Sequence, residues 1–423
     1  MNYNDFFEKA KEKEITNLEI LENTTEKLVL ETFDDSVDNH EISNLTTYQI
    51  SGMYNKKKVI ISTEILDDST LDKLMSNASY IDEDSKPSTN DNQKDIVYKA
   101  NYNLTSPKEI INRLLALNNF KTKYSTLSNI NAMYEENISQ IKIITQNSIK
   151  EDIKKRYDFG VEIVATKNDQ KSTYFDYKLS TNNDINMEQL TEEIIQNAIS
   201  KLECGNIESG TYNVLLEHQV VAQILDKFIP IFTAESIQKH TSILEGKLNQ
   251  EVFSKLISIV EDPTNENMVG KRLFDDAGIK TTYKEIIKNG VFKTVLYDEK
   301  TANLDNKFST ANSYNGTISV RNMYIKPGEK ELKDILKEQT KCIIIDTIYG
   351  MHAGINITNG DISLQSDGYL LENGHKTPLR LFIISTNIID LLNNVIEVAN
   401  DLEMASSNIG SPSILVKNVN ISM

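Results

Sequence analysis

The sequence predicts an α+β protein of two domains, with an N-terminal domain over residues 1–205 and a C-terminal domain over residues 206–423. Segments that alternate apolar and polar residues, typical of half-buried strands, fill most of the chain, and amphipathic helical segments separate groups of them. In addition, five of the 16 glycines fall between Gly350 and Gly374, where they divide β-branched runs as in strands joined by tight turns.

The N-terminal domain is predicted to contain two units with the same order of elements, over residues 1–80 and 104–203. Each unit has a helix, about four antiparallel strands and a second helix. In the first unit the predicted elements are a helix over Tyr3–Lys13, strands over Thr16–Leu21, Lys27–Phe33, Thr46–Met53 and Lys57–Thr63, and a helix beginning at Ser69. In the second unit they are a helix opened by Ser106-Pro107, strands over Ser125–Tyr134, Ser139–Thr145, Phe159–Thr166 and Ser172–Lys178, and a helix over Met187–Leu202. The polar stretch 82–94 between the units is predicted to be an exposed loop.

The C-terminal domain is predicted to hold mixed and antiparallel sheets with a few helices. The small-residue stretch Gly205–Gly210 marks the boundary. The predicted elements beyond it are a strand over Tyr212–Leu216, helices over Gln219–Ala234, Glu331–Lys337 and Ile388–Leu402, and a last strand over Ser413–Ile421. Hairpin-type turns are predicted at Asn359-Gly360-Asp361 and at Glu372-Asn373-Gly374.

Charge and composition argue against several classes of partner. The 45 basic and 62 acidic residues give a net charge of −17, which repels phosphate backbones, so we expect no direct contact with nucleic acid. No apolar run reaches the roughly 18 residues of a membrane span, and the acidic N-terminus does not resemble a signal peptide. The two cysteines, Cys204 and Cys342, form no CxxC pair, which suits a reducing cytoplasm.

The residues that could carry catalysis are sparse. No two of the five histidines are three to five residues apart, so a helical pair of zinc ligands is absent from the sequence. His218 is interpreted as a surface or helix-start residue. An alternative is a hydrolase in which His352 acts as a base oriented by Asp346, although a hydrogen-bonded turn residue is the simpler interpretation of His352. The sequence has no GxSxG elbow, no Walker loop and no GxGxxG before a helix.

A series of short motifs runs through the second half of the chain: Gly246-Lys247, Glu261-Asp262-Pro263, Phe274-Asp275-Asp276-Ala277-Gly278, Ile287–Phe292, Leu296-Tyr297-Asp298, Arg321–Glu329, Asn356, Gly360–Ser363, Gly368–Gly374, Asn387–Leu392 and Ser411–Val416. In these motifs and their order, the sequence from Thr211 to Met423 resembles the family that includes TldD and TldE, the latter also called PmbA. Over the first 205 residues only the layout is similar.

The resemblance implies a subunit of a cytoplasmic zinc metallopeptidase, of the type also described as a modulator of DNA gyrase. TldD-like subunits carry HExxxH on a helix early in the second domain and a cysteine near the C-terminus, and they act on unfolded or extended peptides. Here the corresponding helix, Gln219–Phe228, and the region after Met404 lack those ligands, so the chain resembles TldE. We therefore expect no cofactor in this chain and zinc in a TldD-like partner.

The partner is expected to be a TldD-like chain or a second copy, and the substrate a peptide. An extended peptide could pair with strand edges near Asn356–Leu364. The candidate wall of the peptide cleft consists of Gly350, His352, Gly354, Asn356, Gly360, Asp361 and Ser363. The alternative function is a stand-alone homodimeric peptide-binding or scaffold protein without peptidase activity.

Overall fold

The structure is a computed structural model that describes residues 2–81 and 95–423. The loop predicted over residues 82–94 lies outside the described residues. In the N-terminal half the helices are α1 (Tyr3–Glu12), α2 (Asp68–Ala78), α3 (Pro107–Ala116), α4 (Phe120–Lys123) and α5 (Met187–Ser200), with a 3-10 turn at Leu117–Asn119. The strands are β1 (Thr16–Phe33), β2 (Ser36–Tyr54), β3 (Lys57–Thr63), β4 (Ile96–Val97), β5 (Leu127–Ile144), β6 (Ile149–Lys167) and β7 (Gln170–Ser180).

These strands form one sheet in the order β3-β2-β1-β5-β6-β4, with β7 also paired to β6. Neighbours are antiparallel except β4, which runs parallel to β6. Helices α1 and α2 pack around Ile20, and α3 and α5 pack around Leu28 and Leu30. Because these β1 positions are an even number of residues apart, the helices cover one face of the sheet. The opposite face carries Leu21 and turns toward Phe274 of the C-terminal half.

Two of the predicted strand breaks in this half are wrong, whereas the others fall at turns between observed strands. The segments Thr16–Leu21 and Lys27–Phe33 are one strand, β1, which pairs on both sides through Thr24, opposite Thr46 and Gln140. The segments on either side of Glu136 likewise belong to the single strand β5. Polar residues were interpreted as turns, but inside a sheet their main chains are paired on both sides and their hydroxyls bond across strands, as Thr24 and Thr46 do at 2.9 Å.

Ser69 was predicted as the N-cap of the second helix, but the observed N-cap lies two residues earlier and the helix begins at Asp68. Asp67 is the N-cap residue of α2, because its carboxylate accepts a hydrogen bond from the Thr70 N–H while the Thr70 hydroxyl bonds back to the Asp67 N–H. Ser69 instead donates its hydroxyl to Asp67. The fold class is confirmed as α+β, whereas the domain boundary at residue 205 stays a prediction.

In the C-terminal half the helices are α6 (His218–Lys227), α7 (Ala234–Gln238), α8 (Glu299–Leu304), α9 (Leu332–Lys337) and α10 (Ile388–Asn393), with a 3-10 turn at Ile229–Phe232. The strands are β8 (Gly210–Leu216), β9 (Ile259–Glu261), β10 (Lys284–Lys288), β11 (Val291–Phe292), β12 (Ser313–Tyr314), β13 (Thr317–Ile318), β14 (Met323–Ile325), β15 (Lys341–Tyr349), β16 (Asp361–Glu372), β17 (His375–Asn387), β18 (Val395–Val398), β19 (Glu403–Met404), β20 (Ile409–Ser411) and β21 (Ile414–Ser422).

The main feature of this half is a barrel. Strands β17, β16, β15, β8 and β21 are paired in that order, and β17 also pairs with β21, which closes the sheet. Only β8 and β15 of these pairs run parallel. A second sheet has the order β11-β10-β9-β14-β20-β19, and the largest apolar core lies between α6, this sheet and the barrel.

Two predicted helices are shorter than expected. The run Gln219–Ala234 is interrupted after Lys227, because Pro230 lacks the N–H that an α-helix needs and the chain continues as a 3-10 turn. The helix predicted to reach Leu402 ends at Asn393, where the β-branched run around Val395 pairs with β21 instead. None of the helices in the described part of the chain has the length and apolar sequence that a bilayer crossing requires.

Candidate functional site

The predicted cleft wall lies on the loop between β15 and β16 and on the start of β16. An isolated bridge joins Ile355 to Ile362, and the Asn356 N–H donates to the Asp361 carbonyl at 2.9 Å. The Asn356 side chain accepts hydrogen bonds from the N–H groups of Thr358 and Asn359, and Gly360 has a φ of 86°. The turn predicted at Asn359-Gly360-Asp361 is therefore present, and the Asn356 amide stabilises it.

Several wall residues have structural partners of their own. The Asp361 carboxylate accepts hydrogen bonds from the side chains of Asn359 (2.8 Å) and Asn387 (3.0 Å). The Ser363 N–H donates to the Gly354 carbonyl, and a Cβ on Gly354 would lie 2.2 Å from the Ser363 carbonyl oxygen. The edge of β16 is thus already paired with the chain itself over this stretch, which the sequence did not predict.

The remaining wall residues are open to solvent. Gly350, at the end of β15, has a φ of 72°, and His352 is exposed in the turn that follows it. The Ser363 side chain is also exposed, whereas Ile362 and Leu364 on either side of it face the core. The wall therefore presents a small set of polar groups on a rigid strand, and its role in binding peptide stays a prediction.

A cleft of about 360 Å³ adjoins the wall where the barrel closes. It lies between the end of β17, α10 and β21, and its lining is mainly amides and hydroxyls. Asn387 belongs to both features, because its side chain donates to Asp361 and to the Asn359 carbonyl while its amide oxygen caps α10. The cleft and the wall are consequently held in a fixed relation.

Asp346, the predicted orienter of His352, is engaged elsewhere. Its carboxylate accepts hydrogen bonds from Lys201 Nζ at 2.7 Å and from the Thr347 hydroxyl at 2.9 Å. The side chains of Lys201 and Asp346 are each 2% exposed. His352 is exposed, and no hydrogen bond or ion pair between described residues joins it to Asp346, so the structure does not bring this pair together.

The Lys201–Asp346 pair belongs to a polar cluster between the two halves. The Lys201 ammonium lies 4.5 Å from the ring centre of Tyr174 and 5.7 Å from that of Tyr369. Glu217 follows β8 next to Asp346, and burial, with the Asp346 charge adding to it, raises the pKa of Glu217 to about 7. The sequence analysis missed this cluster, although Lys201 continues the inward-facing helical spacing of Ile194 and Ala198.

His218 begins α6, as interpreted from the sequence. The Nε2 atom of its ring lies 3.4 Å from the Glu403 carboxylate. The backbone N–H of His218 donates a hydrogen bond to the Ser413 hydroxyl. Burial opposes protonation of the ring, but the hydrogen bond and charge of Glu403 outweigh it, so the pKa of His218 is raised. The residue after His218, Gln219, donates a side-chain hydrogen bond to the carboxylate of Asp176 in β7. This bond connects the N-terminal sheet to the start of α6.

Helix α6 and β20 pack against each other, and these are the two regions where the family resemblance locates the metal ligands. The inward side chains of α6 include Val221, Ala222 and Leu225, which share an apolar core with Ile409. Within residues 2–81 and 95–423, no three His, Cys, Asp or Glu side chains form a group that could hold a metal ion. The aliphatic groups present at these two positions do not fit zinc, which binds nitrogen, sulfur or carboxylate donors.

A family model described as the PmbA/TldA metallopeptidase C-terminal domain matches residues 209–423. An uncharacterized protein of Methanocaldococcus jannaschii is 30% identical over 218 residues, which cover 50% of this chain and 51% of that protein. A metalloprotease PmbA homolog of Buchnera aphidicola subsp. Baizongia pistaciae is 25% identical over 270 residues, which cover 63% of this chain and 59% of that protein. The matches thus span roughly half to three fifths of the length of these curated relatives.

Solved structures match over nearly the whole chain. A Thermotoga maritima protein, provisionally described as a modulator of a DNA gyrase, superposes with a TM-score of 0.87 at 25% identity and 99% coverage of both chains. TldE from Thermococcus kodakarensis has a TM-score of 0.83 at 18% identity, covers 100% of this chain and 99% of that one, and shows the fold alone. Because the family model covers half of the sequence, the chain belongs to the PmbA/TldD family, whose relatives include proteins named as metalloproteases.

Proposed function

We propose that the chain is a TldE-like subunit of a cytoplasmic TldD/TldE-type zinc peptidase that acts on unfolded or extended peptides. In this proposal the chain serves in assembly and in peptide binding, and a TldD-like partner carries the zinc. The observation that supports it is the packing of α6 against β20. The resemblance locates the ligand motif of a metal-binding member on this helix, which here carries buried aliphatic side chains such as Val221 and Leu225 that pack with Ile409.

Aliphatic packing of this kind would stabilise the arrangement without a metal. Val221, Leu225 and Ile409 are each at most 3% exposed, and burial of such side chains stabilises a fold by roughly 1.5–3 kcal/mol each. Metal ligands at these sites would be polar groups that need an ion or hydrogen bonds to be buried. The side chains therefore act as core residues here.

Peptide binding would rely on the wall and the adjoining cleft. Main-chain pairing with β16 would require the loop around Gly354 to move away, because that loop already occupies the edge. Contacts with the exposed Ser363 and His352 and with the amide-lined cleft need no such movement. We therefore expect the peptide to contact side chains at this wall rather than to extend the sheet.

Assembly and metal content test the proposal directly. The purified chain is mixed with a TldD-like protein from the same source, and complex formation is followed by size exclusion with light scattering. We expect a complex, faster or altered peptide cleavage by the mixture, and no stoichiometric zinc in the chain alone by elemental analysis. Zinc bound by the isolated chain together with peptidase activity of its own would contradict the proposal.

A pair of substitutions tests the wall. Ser363→Arg places a large cation on the wall and should weaken binding of a labelled peptide by the complex. His375→Arg is the matched control, since His375 is exposed in the turn at the other end of the same hairpin. An equal effect of the two substitutions would show that the wall is not the peptide site.

The second candidate is a stand-alone homodimeric peptide-binding or scaffold protein. Light scattering of the chain alone separates it from the first proposal. A dimer that does not exchange subunits with a TldD-like protein and leaves its peptidase activity unchanged would favour this second function.

A further inference from the structure

Two basic side chains without carboxylate partners in the described ranges lie between the open face of the N-terminal sheet and the C-terminal half. Lys154 of β6 donates a hydrogen bond to the Val269 carbonyl at 3.2 Å. Arg321 donates to the Val320 carbonyl at 2.9 Å and to the Asn408 side chain at 2.7 Å. Neither cation has an ion pair with any carboxylate in residues 2–81 and 95–423.

The neighbouring cations differ in this respect. The distances from cation to carboxylate are 2.8 Å for Lys271–Asp152, 2.7 Å for Arg272–Asp276, 3.0 Å for Lys284–Glu261 and 2.7 Å for Arg156–Asp158. The local carboxylates are therefore already engaged. In a chain with a net charge of −17, two partly buried cations that lack carboxylate partners need a physical explanation.

Lys154 and Arg321 flank the same short segment of main chain. Lys154 binds the Val269 carbonyl, and the N–H of the next residue, Gly270, donates to the side chain of Asn322 at 2.8 Å, beside Arg321. Burial lowers the pKa of Lys154 to about 7, and the charge of Arg321 adds to this lowering. The two side chains thus lie on either side of the Val269-Gly270 main chain, where a bound anion would face both of them.

The same cluster holds hydrogen-bond donors without acceptors. Tyr314 is 1% exposed and its ring centre lies 4.1 Å from the Arg321 guanidinium and 5.5 Å from that of Arg272. The Tyr314 hydroxyl and Arg272 Nε are both buried and have no hydrogen-bond partner among the described residues. Buried donors of this kind are usually satisfied, so their presence beside the cations points to a ligand that accepts hydrogen bonds.

We propose that Lys154 and Arg321 form a binding site for a carboxylate, and that this carboxylate is the C-terminal group of a bound peptide. The inference rests on the proposed role in peptide binding. Arginine and lysine are suited to this group, since both donate charge-assisted hydrogen bonds to a carboxylate. The site lies beside the segment that follows Met404, because the Ser407 carbonyl accepts a hydrogen bond from the Asn322 N–H. The peptide would therefore run along the seam between the two halves.

The test compares two forms of one probe, a fluorescein-labelled penta-alanine with a free C-terminus and the same peptide as a C-terminal amide. Fluorescence anisotropy with the full chain should give at least about tenfold tighter binding of the free acid, the size expected for hydrogen bonds to a charged group. Lys154→Met and Arg321→Gln should each reduce this preference. Lys167→Met is the control, since Lys167 ends the same strand and makes an exposed pair with Glu203.

The outcomes separate this inference from the proposed function. Equal binding of the two peptides, or an unchanged preference in both variants, would overturn the carboxylate site and leave peptide binding in place. No binding of either peptide, by the chain or by its complex with a TldD-like protein, would overturn both. Lys154→Met removes an amine that has no carboxylate partner among the described residues, together with its hydrogen bond to the Val269 carbonyl. Melting temperatures of both variants within a few degrees of that of the unaltered chain would show that a loss of preference does not reflect unfolding.

Discussion

The ion pair between Lys201 and Asp346 gives the sharpest test of how the two halves are held together. Lys201 follows α5, Asp346 lies in β15, and their atoms meet at 2.7 Å with both side chains 2% exposed. Lys201→Met would leave the Asp346 carboxylate buried without a cation, and its Oδ2 has no hydrogen-bond partner even in the intact chain. Removing one member of a buried pair costs about 3–5 kcal/mol, and we expect a loss in free energy of unfolding of that size.

Replacement of both members should cost much less than the sum of the single losses. In Lys201→Met combined with Asp346→Leu neither charge of the pair remains, and apolar side chains replace a pair that was costly to desolvate. The exposed pair of Lys239 and Glu235, 66% and 49% exposed, provides the control, and Lys239→Met should change stability by less than about 0.5 kcal/mol.

Urea unfolding followed by far-UV circular dichroism and tyrosine fluorescence is the assay, because the chain has 18 tyrosines and no tryptophan. Two results would refute the reasoning. One is a cost below about 1 kcal/mol for Lys201→Met, and the other is a double variant whose loss equals the sum of the two single losses. Either would mean that the pair is not desolvated in the way that its burial indicates.

Further predictions concern pH, packing and capping. Burial raises the pKa of Glu217 from its ordinary 4.5 to about 7. The contribution of this group to the free energy of unfolding is therefore complete below pH 4.5 and is lost as the pH rises through 7. Urea midpoints measured from pH 5 to 8 should show this fall in the unaltered chain and a flatter dependence in Glu217→Gln. A Cβ on Gly368 would lie 1.8 Å from a carbonyl oxygen of β15, so Gly368→Ala should cost more than about 3 kcal/mol or prevent folding. A Cβ on Gly374 would meet no atom within 4 Å, but φ is 81° there, so Gly374→Ala should cost only about 1 kcal/mol. Similar shifts in the melting temperatures of the two variants would contradict this difference. Asn387→Ala removes the cap of α10 and the bond to the wall and should cost about 1–2 kcal/mol. Asn387→Ser keeps an acceptor for the cap without placing a second carboxylate beside Asp361, and it should recover part of that loss in the same melts.

Periodicity and turn chemistry in the sequence predicted much of the fold. The amphipathic spacing of α5, with Leu190, Ile194 and Ala198 buried, is a local property and was confirmed. The Asn373-Gly374 turn was also confirmed, since φ is positive at both residues and β16 and β17 pair directly across it. Such features depend on residues close together in the chain, which is why sequence alone identifies them.

Strand lengths and the candidate site were harder to predict for a common reason. The polar run around Thr24 was interpreted as a turn because its preference for loops is local, whereas pairing with β2 and β5 is a long-range effect. The turn at Asn359-Gly360-Asp361 was correctly expected, but the partners of Asn356 on the loop and of Asp361 at Asn387 could not be read from spacing. Neither Lys154 nor Arg321 was singled out as a candidate binding residue, because no local pattern shows that a basic residue lacks a carboxylate partner.

The sequence by itself determined that this is an α+β chain of the PmbA/TldD family. It also determined that the helix beginning at His218 lacks the HExxxH motif, because motifs and periodicity depend on residues that are close together in the chain. Only the tertiary structure decided which distant charges meet. Lys201 and Asp346 are 145 positions apart and form a buried pair, while the side chains of Lys154 and Arg321 form no ion pair with a carboxylate in the described part of the chain. The energy of a charge depends on its burial and its neighbours in space, and neither is a property of the residue itself.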